Sequence, residues 1–201
     1  MYASEQTRAD VVAARDAWRR WAPTVDPARL VFLDESGVTT QLLRRYGRSR
    51  RGTRVLDYAP CGLWHTTTFL AALRVQGLTA PAVFDGPLDG DSFLAYVEQV
   101  LAPTLHVGDV VILDNLNCHK VAGVAEAIAA RGATLKYLPP YSPDFNPIEL
   151  LFSKLKAWLR TARARTRAAI DAALTACLPR FLPTECTGYF RHCGYGETTR
   201  S

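Results

Sequence analysis

Two stretches of the chain are apolar at every position and end on an acidic residue. Residues 30–33 (LVFL) precede Asp34, and residues 110–113 (VVIL) precede Asp114. Because polar and apolar residues do not alternate within either run, each run predicts a strand that is buried on both faces. Each predicted strand therefore carries a carboxylate at its carboxyl-terminal end.

The pattern elsewhere predicts a mixed α/β domain. It predicts an amphipathic helix over 4–22 that Pro23 ends, and further helices over 91–102 and 119–131. It also predicts strands over 65–75, 82–84 and 134–138, and an edge strand leading into a basic loop over 38–54. This order indicates a sheet that begins antiparallel and continues parallel. The first strand then lies beside the strand at 110–113, which makes Asp34 and Asp114 neighbours at one sheet end, where open α/β sheets place their sites.

A further helix is predicted to start within LPPYSPDFNPIELLFSKLK, residues 138–156. Asn146 stands at the N-cap position, Pro147 at the first helical position and Glu149 at the third. This spacing has two interpretations: an ordinary capping box, or a helix start that brings a third acid to the sheet end. One face of the helix carries Glu149 and, at helical spacing, Ser153, Lys156 and Arg160, so this face is either solvated or meets an anionic polymer.

Three acids at one sheet end repel each other unless positive charge lies among them. Carboxylate oxygens without a requirement for His or Cys favour Mg²⁺ or Mn²⁺ over Zn²⁺. Two such ions about 4 Å apart would activate a water or a 3′-hydroxyl and stabilise the leaving oxygen in an in-line phosphodiester displacement.

Composition and cysteine usage predict a soluble cytoplasmic protein with one domain, or one domain plus a tail. The chain has 201 residues, 48% of them hydrophobic, and neither a run of 18 apolar residues nor a signal-like start. Its five cysteines are scattered and indicate free thiols in a reducing compartment. A metal site formed by Cys186, His192 and Cys193 is the less favoured alternative.

Positive charge is concentrated in two clusters, although the formal net charge is only +5. The first cluster lies within eleven residues that contain no acid and consists of Arg44, Arg45, Arg48, Arg50, Arg51 and Arg54. The second lies between residues 151 and 201, where nine Lys or Arg face three acids. Two separated Arg-rich clusters favour a polyphosphate partner over a merely solvated surface.

Three blocks of the chain together resemble a known family. LVFLDESG, VVILDNLNCHK and LPPYSPDFNPIELLFSKLK are similar to the signature blocks of DDE transposases of the mariner superfamily, specifically the bacterial insertion sequence 630 family. The spacing between the second Asp and the Glu agrees with that family as well. The resemblance extends over about residues 28 to 195 and includes YGRSRRG, DGPLDGDSF and YFRHCGY.

The resemblance implies an RNase H-like mixed five-stranded sheet with flanking helices. It implies that Asp34, Asp114 and Glu149 are the catalytic residues and the ligands of two Mg²⁺ or Mn²⁺ ions. Glu35, Asn115 and Asn146 are supporting residues at most, and Glu35 is not expected to share the metals because adjacent strand residues point to opposite faces. The expected double-stranded DNA contacts are Arg44, Arg45, Arg48, Arg50, Arg51, Arg54, Lys154, Lys156 and Arg160.

The implied activity is cleavage of DNA at transposon ends and transfer of the freed 3′-hydroxyl into target DNA, by a homodimer that synapses two ends. The expected organisation is a linker helix at 1–27, a catalytic domain at 28–160 and a basic helical extension packed on it at 161–201. The family's N-terminal helix-turn-helix region is not found, since residues 1–27 are too short for it. Either a separate polypeptide supplies that region or the chain is a truncated remnant.

Two other functions stay open from the sequence. A truncated transposase could act without catalysis, as a DNA-binding or regulatory fragment, although a remnant has no reason to keep all three acids. The other alternative is a haloacid-dehalogenase-like phosphatase, because an apolar strand ends in Asp34. That class requires a second acid two residues later, where this chain has Ser36.

Overall fold

A five-stranded mixed sheet forms the centre of the protein. The computed structural model describes residues 4–40, 42, 46–56, 66–164 and 166–196. The strands are β1 (Leu30–Thr39), β2 (Thr66–Arg74), β3 (Gly77–Asp85), β4 (Val110–Leu113) and β5 (Thr134–Tyr137), in the order β3-β2-β1-β4-β5. β2 is antiparallel to its neighbours β1 and β3, whereas β4 is parallel to β1 and β5 is parallel to β4. The predicted mixed sheet is confirmed.

The register of β1 and β4 sets the positions of the two strand-end acids. Phe32 pairs with Ile112 in the parallel ladder. Asp34 follows that pair by two residues within β1, and Asp114 follows it by two residues just past β4, so both acids lie at the same end of the β1–β4 ladder. The wholly apolar sequences account for this placement, because Val31 and Val111 are fully buried in the middle of the sheet.

Within 38–54 the predicted edge strand is wrong, whereas the predicted basic loop agrees with residues 46–54, which have no helix or strand. Val38 and Thr39 are the last residues of β1 and pair with Thr67 and Thr66 of β2. No other part of 38–54 that the structure describes is a strand. β1 is longer than its apolar run suggests because pairing with β2 continues past the acidic residues.

Six α-helices flank the sheet in the described part of the chain. They are α1 (Ala9–Trp21), α2 (Gly90–Tyr96), α3 (Val124–Ala129), α4 (Pro147–Ala162), α5 (Arg167–Cys177) and α6 (Pro183–His192). The helix predicted over 91–102 begins as α2 and continues as a π-helical turn over Val97–Leu101. The helix predicted over 119–131 is divided into a 3₁₀ turn at Asn117–Lys120 and the shorter α3, because Gly123 adopts a left-handed φ of 96° between them.

The helices bury the two faces of the sheet in separate apolar clusters. Phe32 and Phe69 face the cluster that contains Phe152 of α4 and Phe190 of α6. Leu33 faces the opposite cluster, formed with α2 and α3. Because strand side chains alternate, Asp34 points to the α4 side and Glu35 to the side of α2 and α3. No helix in the described residues is long and apolar enough to cross a membrane.

Candidate active site

Asp34 is the buried member of the three predicted acids. Only 6% of it is exposed, and its two carboxylate oxygens accept hydrogen bonds from Asn146 Nδ2 at 2.8 Å and from the backbone N–H of Glu35 at 2.8 Å. Burial raises the pKa of Asp34 to about 8, and the negative charges of Glu149, Glu35 and Asp114 act in the same direction. In this arrangement Asp34 is therefore largely protonated near neutral pH.

Asn146 joins the start of α4 to Asp34 in the middle of β1. The helix begins at Pro147 as predicted, but the Asn146 side chain makes no capping hydrogen bond, so the capping box is not formed. Its amide nitrogen instead donates to Asp34, and its Oδ1 atom is buried without a hydrogen-bond partner among the described residues. An unpartnered buried oxygen beside a carboxylate indicates that this site is built to receive a further group.

Asp114 follows β4 and contacts a buried histidine. Its Oδ1 atom lies 2.6 Å from Nδ1 of His119 and also accepts a hydrogen bond of 3.2 Å from the N–H of Leu116. On the other side of the ring, Nε2 of His119 lies 3.0 Å from Oε2 of Glu35. Burial opposes a charge on this ring, but the contacts with Asp114 and Glu35 outweigh it and raise the pKa of His119 to about 10.

Sequence reasoning missed His119. It belongs to the block VVILDNLNCHK, but its position was assigned to the start of an ordinary helix. The only local signal is a histidine five residues after a strand-end acid, within a segment that must turn back over the sheet end. The partnership with Glu35 depends on the pairing of β1 with β4, which the sequence does not display locally.

The three acids line one pocket of about 440 Å³. The rest of its lining comes from Asn115, Leu116, Asn146 and the loop residues 138–143. Glu149 is exposed on the first turn of α4, whereas Asp34 is buried. The helix start therefore brings the third acid to the sheet end.

The acids share this pocket without converging on a single point. Within the ranges that the structure describes, no three His, Cys, Asp or Glu side chains are grouped so that they could hold a metal ion. Asp34 is held by Asn146, and Asp114 is held by His119. The alternative site at Cys186, His192 and Cys193 is disfavoured because both thiols are buried and burial raises their pKa, which opposes the thiolate form that binds metal.

The predicted DNA contacts have different environments. Arg48, Arg50, Arg51 and Arg54 are exposed in the segment 46–56, which has no helix or strand. Arg44 and Arg45 lie outside the described residues. This segment therefore offers four cations to solvent without an ordered secondary structure.

The predicted DNA contacts on α4 differ from one another in exposure and in ion pairing. The Nζ atom of Lys154 lies 2.6 Å from Oε2 of Glu185 on α6, so its charge already has a partner. Lys156 and Arg160 are half-buried. Asn115, a predicted supporting residue, is exposed at the pocket rim.

Comparison with known proteins gives a family and a fold. A family model described as DDE superfamily endonuclease matches residues 29–171. The chain is similar to a Mos1 transposase paired-end complex with left transposon end, at 15% identity and a TM-score of 0.71, covering 96% of this chain and 59% of that one. It is also similar to a pre-cleavage Mos1 transpososome, at 14% identity and a TM-score of 0.74, covering 96% and 60%.

The catalytic domain of Mos1 mariner transposase, solved by itself, is similar at 12% identity and a TM-score of 0.64, with 98% of each chain covered. The chain thus spans about three fifths of the Mos1 chains in the DNA complexes and matches the isolated catalytic domain end to end. A search among curated proteins gave no match. Because the matched residues include Asp34, Asp114 and Glu149 at one sheet end, the chain belongs to the DDE superfamily of endonucleases.

Proposed function

We propose that this chain is the catalytic domain of a DNA transposase, which cleaves phosphodiesters at transposon ends and transfers the freed 3′-hydroxyl into target DNA. One observation carries the proposal: Asp34, Asp114 and Glu149 line one pocket at the end of the β1–β4 ladder, where Asp34 lies within β1 and Asp114 directly follows β4. Membership of the DDE endonuclease family supports it. We further propose, from the resemblance of the three sequence blocks, that the chain belongs to the bacterial insertion sequence 630 branch of that family.

The residues of the pocket fit a divalent metal cofactor. The three carboxylates are oxygen donors of the kind that Mg²⁺ and Mn²⁺ prefer, and Asn146 adds an unpartnered buried oxygen. Burial raises the pKa of Asp34 most, the neighbouring negative charges raise it further, and a bound cation would offset both effects. Solved structures of the Mos1 catalytic domain are described with Mg and with Mn. Two such ions supply an activated nucleophile and stabilise the leaving oxygen.

The chain's own residues have separate tasks in this proposal. Asp34, Asp114 and Glu149 provide the ligands and the negative field of the pocket. Asn146 keeps Asp34 in place through its 2.8 Å hydrogen bond, while His119 keeps Asp114 in place from the other side of the sheet. Asp34 must lose its proton before it can bind a cation. The affinity of the pocket for a divalent cation should therefore increase as pH rises.

Double-stranded DNA is the proposed substrate, both as transposon ends and as target. The exposed arginines of residues 46–56, with Lys156 and Arg160 on α4, supply its phosphate contacts in this proposal. We further propose a homodimer that holds two ends together in the bacterial cytoplasm, associated with the nucleoid.

Nicking of supercoiled plasmid by the purified chain with Mg²⁺ or Mn²⁺ tests this proposal. The variant Asp114→Asn removes one pocket carboxylate, and Asp171→Asn, which changes an acid of α5 paired with Arg167, is the matched control. We expect metal-dependent nicking by the unaltered chain and by the control, and its loss in Asp114→Asn.

Retained nicking in Asp114→Asn would exclude the assignment of the pocket. If the folded, unaltered chain binds plasmid and never nicks it, the catalytic proposal fails. The non-catalytic DNA-binding or regulatory fragment then becomes the better description.

A further inference from the structure

The segment 140–146, which forms part of the pocket wall and ends at Asn146, is attached to helix α1 at several points. We propose that Arg15 of α1 is a positioning residue for the reaction, because it holds this segment and through it Asn146 and the start of α4. The inference rests on the proposed function, since it concerns the same pocket. By this inference, α1 supports the wall of the pocket in addition to the linking role expected from sequence.

The Arg15 side chain is buried and makes a two-pronged contact with the segment. Its two terminal nitrogens donate to the two carboxylate oxygens of Asp144, at 2.9 Å and 2.7 Å. One of them also donates to Oγ of Ser142 at 2.7 Å, and the guanidinium lies over the Phe145 ring at 4.4 Å. A planar fork that meets a carboxylate at two points fixes direction as well as distance, which a lysine would not do.

Other contacts hold the same segment on either side of Arg15. Gln6 donates from Nε2 to the carbonyl of Tyr141 at 2.6 Å. Trp18 of α1 donates to the hydroxyl of Tyr195, and that hydroxyl donates to the carbonyl of Phe145 at 2.7 Å. Residues near both ends of the described chain therefore meet on this segment of seven residues.

This attachment matters because the regular secondary structure of the segment is limited to one 3₁₀ turn at Pro143–Phe145. Tyr141 has a left-handed φ of 54°, which a residue with a bulky side chain seldom adopts without support from its surroundings. The Ser142 hydroxyl, buried beneath Arg15, also donates to the carbonyl of Pro140 at 3.0 Å. The geometry of the pocket wall thus depends on contacts that α1 supplies.

The direct consequence falls on Asn146 and Asp34. Asn146 follows Phe145 immediately, and its amide is the group that donates to the buried carboxylate of Asp34. If the segment shifts, the Asn146 hydrogen bond and the first turn of α4, with Glu149, shift with it. The contacts that Arg15 makes with Ser142, Asp144 and Phe145 all lie on the segment, so its effect on Asn146 passes through the segment.

Hydrogen exchange followed by mass spectrometry tests the attachment directly. The amides of Phe145 and Asn146 donate within the segment, to the carbonyls of Ser142 and Pro143, so they report its opening. In Arg15→Ala we expect these amides to exchange about tenfold faster, with the strands β1 and β4 unchanged. Arg20→Ala, an exposed arginine of the same helix, is the control and should leave the exchange unaltered.

Manganese binding and nicking kinetics connect the attachment to the pocket. In Arg15→Ala we expect about tenfold weaker Mn²⁺ binding, measured by electron paramagnetic resonance, and about tenfold slower nicking at saturating DNA with an unchanged KM. Arg15→Lys keeps the positive charge but loses the two-pronged contact. Its Mn²⁺ affinity and nicking rate should therefore lie between those of Arg15→Ala and those of the unaltered chain. Replacing Asp144 by Ala in the Arg15→Ala background should add little, because both changes break the same contact.

The outcomes separate this proposal from the broader one. The proposal for Arg15 would be overturned if, in Arg15→Ala, the amides of the segment exchange at the same rate as in the unaltered chain and Mn²⁺ binds with the same affinity. Equal acceleration of exchange in the segment and the strands, in both Arg15 variants, would also overturn it, since Arg15 would then serve stability alone. A failure of the proposed function looks different: the unaltered chain itself would not nick, whereas the exchange difference between Arg15→Ala and Arg20→Ala would remain.

Discussion

Nδ1 of His119 lies 2.6 Å from Oδ1 of Asp114, and the histidine is fully buried. The ring lies against Phe93 of α2 with 4.6 Å between the ring centroids, and Tyr137 donates to the His119 carbonyl at 3.1 Å. Packing therefore fixes the ring, and the ring in turn restricts the Asp114 carboxylate. Because Glu35 holds the other ring nitrogen, both acids depend on one histidine.

Replacing His119 by Ala should lower metal-dependent nicking by about 10- to 100-fold, the usual effect of losing a group that orients a ligand. The measurement is the initial rate of plasmid nicking across a Mg²⁺ series, which also gives the apparent metal affinity. His106→Ala is the matched control, because His106 is an exposed histidine at the amino-terminal end of β4. Equal activity of the two variants would exclude an orienting role for His119.

Stability should fall as pH rises, in the absence of divalent metal. The pKa of Asp34 is about 8 in the folded protein against an ordinary 3.8, so the folded state binds more protons than the unfolded state between those values. Stability from this group is fully present below about pH 4 and is lost as pH rises through about 8. His119, with a pKa raised from 6.5 to about 10, acts in the same direction at higher pH.

The variant Asp34→Asn removes the titration of Asp34 and leaves that of His119. We expect its Tm to exceed that of the unaltered chain by an amount that grows between pH 5 and pH 8, measured in EDTA. The variant should at the same time be inactive, as stabilised active-site variants often are. Parallel Tm curves for the two proteins would show that Asp34 titrates normally.

Added Mg²⁺ should raise the Tm more at pH 8 than at pH 6. Binding to Asp34 requires its carboxylate form, so at pH 6 part of the binding free energy is used to remove a proton. Thermal unfolding in MgCl₂ and in matched NaCl at constant ionic strength measures the difference. Asp34→Asn should abolish the pH dependence of the shift, and a shift independent of pH in the unaltered chain would contradict the expectation.

The sequence predicts those parts of the fold that depend on local pattern. The two apolar runs that end at Asp34 and Asp114 correctly predicted buried neighbouring strands, and Pro147 correctly marked the start of α4. The end of β1 was mispredicted because Val38 and Thr39 pair with β2, a partner that is distant in sequence.

The candidate site was predictable only in part for the same reason. Asn146 was correctly placed at a helix start, yet its side chain contacts Asp34 on another element and does not cap its own helix. His119 and Arg15 acquire their partners only after β4 and α1 pack against the sheet. Contacts of this kind join residues that are far apart in sequence, and no local spacing encodes them.

The two cationic surfaces should contribute unequally to DNA affinity. Lys154 is paired with Glu185 at 2.6 Å, so binding a phosphate would require breaking that pair, whereas Arg50 and Arg51 are exposed. We expect Lys154→Ala to leave the slope of log affinity against log salt nearly unchanged. Arg50→Ala and Arg51→Ala should each reduce the slope by up to about 0.9, the value for one phosphate contact on duplex DNA.

Fluorescence anisotropy of a labelled duplex, titrated between low and physiological NaCl, measures these slopes. Glu185→Gln provides the complementary test, because it frees the Lys154 ammonium without removing it. If the ion pair is what keeps Lys154 from DNA, Glu185→Gln should steepen the salt dependence and Lys154→Ala should cancel that gain. Equal slopes for the arginine variants and the unaltered chain would show that residues 46–56 do not meet the DNA backbone.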